Sequence, residues 1–342
     1  MIPVSAEKLR EMGESIFKAN GLSPEKAEFL VDTLIEANLT GHDSHGVHYY
    51  LGYTDRIEKG SIKPDAEPVI IKESPTTAHI DGQWAQGQIT ARKVIQTAVE
   101  KAKKNMVSAV GAFNCNHIGR LGYYSDWASK QGIIAILFAN VGNPLVSVHN
   151  GMGKIFGTNP ISVSVPTEKA EPFLVDYASS VVAAGKLSVA RAAHKKIPDH
   201  WASDSEGNPT DDPWALSKGG WLKPFGEYKG YGLQLVVELL GAVLTGSQSG
   251  LDPDRIPVVT NGVLAIALNP EAFIGLDKFK EETDSLLGKV KELTPLPGKR
   301  VLVPGKPELE SKEKRLREGI PLPEETWTKI QELALRLGVS IT

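Results

Sequence analysis

Apolar residues recur at helical spacing through the N-terminal part of the chain. Ser5 stands as an N-cap ahead of Leu9, Met12, Ile16 and Phe17, which share one face, and Asn20-Gly21 closes the run. Ser23-Pro24 opens a second run that turns Ala27, Leu30, Val31, Leu34 and Ile35 inward, so the two predict a helical hairpin. The hairpin delivers the chain to Gly41-His42-Asp43-Ser44-His45-Gly46, after which residues 47–58 read as a third helix ending at Lys59-Gly60. Ser44 and His45 are thereby expected at a helix N-terminus, which favours anions and disfavours an imidazolium.

The period then shortens. Residues 69–71 and 77–80 are β-like, 88–104 helical, 107–113 a buried strand, 121–130 an amphipathic helix and 133–139 a second buried strand. The strand-loop-helix-strand alternation from residue 106 onward predicts an α/β unit with at least one parallel pair. Between strand and helix lies Asn114-Cys115-Asn116-His117-Ile118-Gly119, at the kind of strand-to-helix turn where open α/β sheets hold their chemistry. A hairpin is expected from strands 161–165 and 173–175 around a turn at Pro166 to Pro172, with Asp176 ending the second strand and a helix over about 180–195. Residues 198–226, rich in Pro, Gly, Asp and Trp, read as a long ordered excursion. Lys229-Gly230-Tyr231-Gly232 opens a helix whose apolar run, 233–244, predicts burial on most sides. A strand at 263–268, a helix over 276–293, a turn at Pro304-Gly305-Lys306 and two charged helices complete the chain, with no internal repeat.

Composition narrows the chemistry. At 342 residues more than one lobe is expected, and a net charge of −3 from 38 basic and 41 acidic residues disfavours nucleic acid or an anionic membrane as partner. Cys115 is the only cysteine, which rules out an intrachain disulfide and fits a reducing compartment. No apolar run reaches about 18 residues and no signal-peptide pattern is present, so a cytoplasmic protein is expected.

Gly151-Met152-Gly153-Lys154-Ile155-Phe156-Gly157 fails as a dinucleotide loop: it has one residue too many before the third glycine, and a strand follows it. It fails as a phosphate loop too, with Val148 and Ile155 at required positions. Metal ligands are scattered, so no metal is expected. No Gly-x-Ser-x-Gly elbow surrounds Ser44, and a serine and histidine adjacent in sequence are not expected to bond as nucleophile and base, which argues against a hydrolase. His45 and His117 remain as candidate acid or base groups, while His42 and His48 read as surface or helix-end residues. Asp176 suits a ribose hydroxyl or a helix N-cap equally, and Lys229-Gly230 suits a phosphate or carboxylate.

Asp43-Ser44-His45-Gly46-Val47, Asn116-His117-Ile118-Gly119, Gly157-Thr158-Asn159-Pro160, Asp176 and Lys229-Gly230, in this order, resemble the type 2 malate/L-lactate dehydrogenase family, which also holds sulfolactate, ureidoglycolate, diketogulonate and cyclic-imine reducing members. The resemblance spans about residues 5 to 310. It implies an α/β fold with a non-Rossmann nicotinamide-binding domain on a mixed sheet, residues 116–284, and a helical N-terminal lobe, 1–115, completed by 285–342. It further implies NAD or NADP, with NAD favoured, a small 2-oxo or 2-hydroxy acid substrate, and a homodimer. His45 would donate the proton in ketone reduction with Ser44 orienting it, and His117 would be an alternative acid or base. Tyr49, Thr158 and Asn159 would meet substrate. The cofactor would lie against His117, Ile118, Gly119, Arg120, Leu121, Asp176, Tyr177, Ala178, Lys229, Gly230, Pro304, Gly305 and Lys306.

Two departures bear on substrate. Many members carry an arginine where this chain has Tyr49, which removes a bidentate grip on a carboxylate and leaves Arg120 or Lys186 as substitutes. Imine-reducing members carry an aspartate where this chain has Lys186. The alternatives are a cyclic-imine 2-carboxylate reductase and a non-catalytic nucleotide-binding relative.

Overall fold

In the computed structural model, which describes residues 1–169, 173–192, 194–251 and 260–340, the two N-caps form as expected. The Ser5 hydroxyl accepts from the Lys8 amide at 3.2 Å and that of Ser23 from the Lys26 amide at 3.4 Å. After the short strand β1 (Ile2–Val4) they open α1 (Ala6–Ala19) and α2 (Pro24–Leu39). Helix α3 (Tyr49–Glu58) closes over this hairpin through Tyr50, whose ring meets Phe17 edge-on at 5.6 Å and whose hydroxyl donates to the Leu9 carbonyl at 2.9 Å. Gly13 makes room, since a Cβ there would overlap the Tyr50 ring.

Strands β2 (Val69–Glu73) and β3 (Thr77–Asp81), helix α4 (Gly87–Asn105), strand β4 (Val107–Asn116), helix α5 (Gly122–Lys130) and strand β5 (Ile134–Ala139) follow. Next come β6 (Ile161–Val165), β7 (Phe173–Tyr177) and α6 (Ala184–Ala192), then the two-residue strands β8 (Ala202–Ser203), β9 (Pro209–Thr210) and β10 (Trp221–Leu222). The chain continues through α7 (Tyr228–Glu238), β11 (Thr260–Leu268), α8 (Leu276–Lys291), α9 (Lys306–Glu318), β12 (Ile320–Leu322) and α10 (Glu324–Arg336). Part of the turn expected at Pro166 to Pro172 lies outside the described residues.

Seven strands form one sheet in the order β2-β3-β4-β11-β5-β6-β7. The expected parallel pair exists, one unit earlier than the pattern suggested: β3 and β4 are parallel across α4, whereas β11 inserts antiparallel between β4 and β5. The pattern of a single βαβ segment carries no information about a strand arriving from far downstream. This mixed sheet draws β2, β3 and β4 from residues up to 116 and the other four strands from after it, so one continuous sheet spans both sides of that residue. A separate helical core joins Leu9, Leu34 and Tyr50 to Ile320, Ile330 and Leu333, with β1 paired antiparallel to β12.

Three local expectations are corrected. Helix α6 starts at Ala184 and not near residue 180 as expected. Asp176 lies inside β7, opposite Ser162, so it does not cap the helix that follows it, and its carboxylate accepts instead from the Gly122 amide at the start of α5. The apolar run after Lys229 is not buried on most sides. Val237 packs against Phe138 and Leu264, but Val236, Leu239, Val243 and Leu244 are exposed along α7 and the π-helical turn Leu239–Val243. An all-round apolar helix announces burial but not by what, and this chain alone covers one side.

Candidate active site

The turn bearing Ser44 and His45 is a separate 3-10 turn, Asp43–His45, and His48 rather than Ser44 precedes α3. Side chains distant in sequence hold it. Asn38 donates to Asp43 Oδ1 at 2.6 Å and accepts from the Val47 amide at 2.8 Å, while Arg315 grips Asp43 with Nη1 at 2.6 Å and Nη2 at 3.0 Å and also donates to the Asn38 carbonyl. His42 faces Glu308 at 3.5 Å. Helix α9 thus clamps the turn, and sequence reasoning carried no signal for it because about 270 residues intervene.

On this turn Ser44 Oγ lies 3.0 Å from His45 Nδ1. The expectation that these neighbours would not bond is corrected: the tight turn folds the hydroxyl back onto the ring. Gly185 of α6 packs against Ser44, its position for a Cβ being 3.0 Å from Ser44 Cβ.

His45 stacks on His117 with ring centroids 5.6 Å apart and planes at 20°, and Tyr49 stacks on His117 at 4.7 Å and on Tyr53 at 4.8 Å. The structure therefore brings together Ser44, His45, Tyr49 and His117, which the sequence separates by about seventy residues. Tyr49, at the site of the missing arginine, fills the stack with an aromatic face. His117 is 7% exposed and its Nδ1 lies 2.7 Å from Tyr53 Oη. Tyr53, and behind it Gln86, which precedes α4, and Gln88 in its first turn, went unnoticed in sequence.

Burial lowers the His45 pKa to about 4, with Asp176 raising it and His42, His48 and Arg120 lowering it. Burial, followed by His45 and then Arg56, holds His117 well below the ordinary histidine range. A charge on one ring opposes a charge on the other, so both rings are neutral near pH 7 and the pair gains at most one positive charge as pH falls toward the His45 value. Because the folded pKa of His45 lies below its unfolded value, the unfolded state takes up the proton first as pH falls. Stability is then expected to drop between about pH 6.5 and pH 4 and to be flat above. Thermal melts across that range should lose part of this slope in His45→Gln.

Arg120 and Asp176 form a buried pair, Nε to Oδ2 at 3.2 Å, with Asp176 Oδ2 also accepting from the Gly122 amide at 2.9 Å and Arg120 Nη1 donating to Thr40 at 3.1 Å. Arg120 Nη2 has no hydrogen-bond partner among the described residues. Ile118 and Leu121 are core residues, and the Ile118 amide donates to Asn261 Oδ1 at 3.0 Å. Asn159 is fully buried: Oδ1 accepts from the Val141 amide and Nδ2 donates to Glu238 Oε2 at 2.7 Å, so its side chain holds loops together and turns no free group outward. Thr158 is partly buried, and its carbonyl accepts from the Ser179 amide.

The candidate cofactor residues after β7 run beside 223–225, with Val181 N bonded to Lys223 O and Phe225 N to Ser179 O. This places Tyr177, 46% exposed, edge-on to Phe225 at 5.7 Å, close to the start of α7. There Lys229 is exposed, and Gly230 leaves no space for a Cβ, which would overlap the Phe225 carbonyl. Pro304, Gly305 and Lys306 begin α9 beside Lys169 and Asp284, one turn before the Glu308 that faces His42. Lys186 is exposed on α6. Arg56, two helical turns from Tyr49 on α3, was also missed; its Nη1 is buried without a hydrogen-bond partner among the described residues, and its charge acts on Tyr49, Tyr53 and His117.

Gly87 lets the start of α4 approach the backbone of the turn that bears His117. A Cβ there would overlap the carbonyls of Asn116 and His117, so Gly87→Ala is expected to cost about 1–3 kcal/mol in denaturant unfolding and to raise KM.

Residues 4–331 match the family model described as malate/L-lactate dehydrogenase. The chain is 36% identical over 332 residues to an L-sulfolactate dehydrogenase of Methanocaldococcus jannaschii, covering 95% of this chain and 94% of that one. Its fold is similar to a malate dehydrogenase from Entamoeba histolytica, with a TM-score of 0.94, 31% identity and 99% coverage of both. It is also similar to a delta1-piperideine-2-carboxylate reductase from Pseudomonas syringae pvar. tomato, with a TM-score of 0.85, 27% identity, and 98% and 100% coverage.

Proposed function

Because the chain belongs to the malate/L-lactate dehydrogenase family, we propose that it reduces a small 2-oxo acid, and oxidises the matching 2-hydroxy acid, at the stacked His45–His117 pair. It is an oxidoreductase acting on CH–OH donors with a nicotinamide cofactor. The observation that carries the site assignment is the stack itself, the partly buried His45 ring on the buried His117 ring, with Tyr49 on His117 and Ser44 on His45.

His45 is the proposed proton donor in reduction, and Ser44 sets its ring. Both rings are neutral in the free protein at pH 7 by the burial described above, so an anionic substrate entering beside them favours uptake of the proton that the product alkoxide then receives. Arg56 supplies the positive charge that Tyr49 lacks and favours a substrate bearing an acidic group. Tyr49 and Thr158 border the substrate.

The cofactor fits the surface formed by Asp176, Tyr177, Ala178, Lys229 and Gly230, with Gly119, Arg120 and Pro304-Gly305-Lys306 beside it. The crowded Gly230 and the exposed Lys229 at the start of an eleven-residue helix are features that accept a phosphate. The bound nicotinamide supplies or accepts the hydride. NAD is favoured over NADP because the Asp176 carboxylate, held through Oδ2 by Arg120 and the Gly122 amide, suits a ribose hydroxyl as the acceptor it needs. A panel of 2-oxo acids run with NADH and with NADPH, followed by absorbance of the reduced cofactor, tests all of this, and no absorbance change with any acid would reject it.

The likeness to the piperideine-carboxylate reductase favours a cyclic imine as second substrate class, tested by running imine and keto acid under identical conditions. A protein that binds cofactor and loses nothing measurable on His45→Ala would instead be a non-catalytic relative. The exposed row Val236, Leu239, Val243 and Leu244 supports a homodimer, and the single buried cysteine supports a cytoplasmic site. In light scattering Leu239→Lys is expected to shift the mass toward the monomer.

A further inference from the structure

The polar chain behind His117 runs in one direction. Gln86 Nε2 donates to Gln88 Oε1 at 2.6 Å, Gln88 Nε2 donates to Tyr53 Oη at 2.9 Å, and Tyr53 Oη lies 2.7 Å from His117 Nδ1. Gln86, Gln88 and Tyr53 are 1%, 0% and 0% exposed, so bulk water does not compete for these bonds. Since the Gln88 carbonyl is occupied by Gln86 and the tyrosine oxygen accepts from Gln88, the one proton of the Tyr53 hydroxyl has Nδ1 as its acceptor. Nδ1 then carries a lone pair, and the ring proton of His117 sits on Nε2.

His45 is held differently. Its Nδ1 meets the hydroxyl of Ser44, which can donate to a neutral ring and accept from a charged one by rotating. Protonating His117 at Nδ1 would require three buried groups to reverse together.

We propose that Gln88 and Tyr53 are positioning residues that lock His117 as the Nε2–H tautomer, a fixed hydrogen-bond donor to the substrate oxygen, and so leave proton movement to His45. The role toward substrate rests on the 2-oxo acid reading, while the tautomer itself does not. Stacking on Tyr49 and on His45 holds the plane of the His117 ring, and the bond from Tyr53 to Nδ1 sets its rotation within that plane. A neutral donor of this kind polarises a carbonyl without giving up its proton.

The test uses the full-length protein labelled with 15N-histidine, with the His117 ring assigned by loss of its signals in His117→Asn. At pH 7, without substrate, Nε2 is expected to give a protonated-type signal and Nδ1 an unprotonated-type signal. Tyr53→Phe, which removes only the hydroxyl, should move both toward averaged values and lower kcat about tenfold, the effect of one lost buried hydrogen bond. Gln88→Met should move them in the same direction by less, and it stands in if Tyr53→Phe fails to fold by circular dichroism. A protonated Nδ1 in the unaltered protein, or lost turnover in a folded Tyr53→Phe with His117 signals unchanged, would overturn the lock. The expected signals in a protein that reduces no 2-oxo acid would reject the proposed reaction and leave the tautomer assignment standing.

Discussion

Replacing His45 with alanine is expected to lower kcat for 2-oxo acid reduction by roughly 10²- to 10⁴-fold, the range for loss of a positioned general acid, with cofactor affinity close to its original value. His45 is the ring that can change charge, because Ser44 tolerates either protonation state and Asp176 opposes the penalty of burial. His45→Ala should also flatten the fall of kcat for reduction toward high pH, where the general acid loses its proton, whereas His117→Ala should lower the rate and keep that fall. Steady-state kinetics over pH for both variants checks the assignment. Turnover intact in His45→Ala and abolished in His117→Ala would exchange the two roles.

Arg120→Leu is expected to destabilise the protein by about 3 kcal/mol or more, the cost of leaving a buried carboxylate without its partner. The side chains of Arg120 and Asp176 are 4% and 10% exposed, so water cannot replace the lost charge. The double variant Arg120→Leu with Asp176→Asn should recover much of that loss, since an amide still meets Arg120's former space without a charge. Urea unfolding of the two variants measures the difference. A loss below about 1 kcal/mol, the scale of an exposed pair, would show that the pair is screened. Cofactor titration of the double variant would separate this stabilising role from the proposed cofactor contact.

Much of the local structure is legible because it is decided by neighbours. Ser5 and Ser23 cap helices through bonds three residues away, and Asn20-Gly21 ends one through its own backbone, so α1 and α2 follow from a short window. The ordered motifs around Ser44-His45 and His117 identified the family, which the match over residues 4–331 supports. The sheet was not legible in the same way. Nothing in residues 107–139 announces that β11 will separate β4 from β5, and nothing in the apolar run after Lys229 says which side stays uncovered.

The same boundary runs through the candidate site. Sequence alone determined which residues carry titratable or hydrogen-bonding groups and that His45 and His117 each sit on a turn, because turns and periodicity are set by bonds between near neighbours. Only the tertiary structure decided that the two rings stack, that Arg315 clamps Asp43, and that Gln86, Gln88 and Tyr53 line up behind His117. Apart from the Gln86–Gln88 step, those contacts join residues about thirty to 270 positions apart, so their geometry depends on how the helical lobe closes on the sheet. The proton states of the two histidines follow from that closure, since it is burial that shifts them.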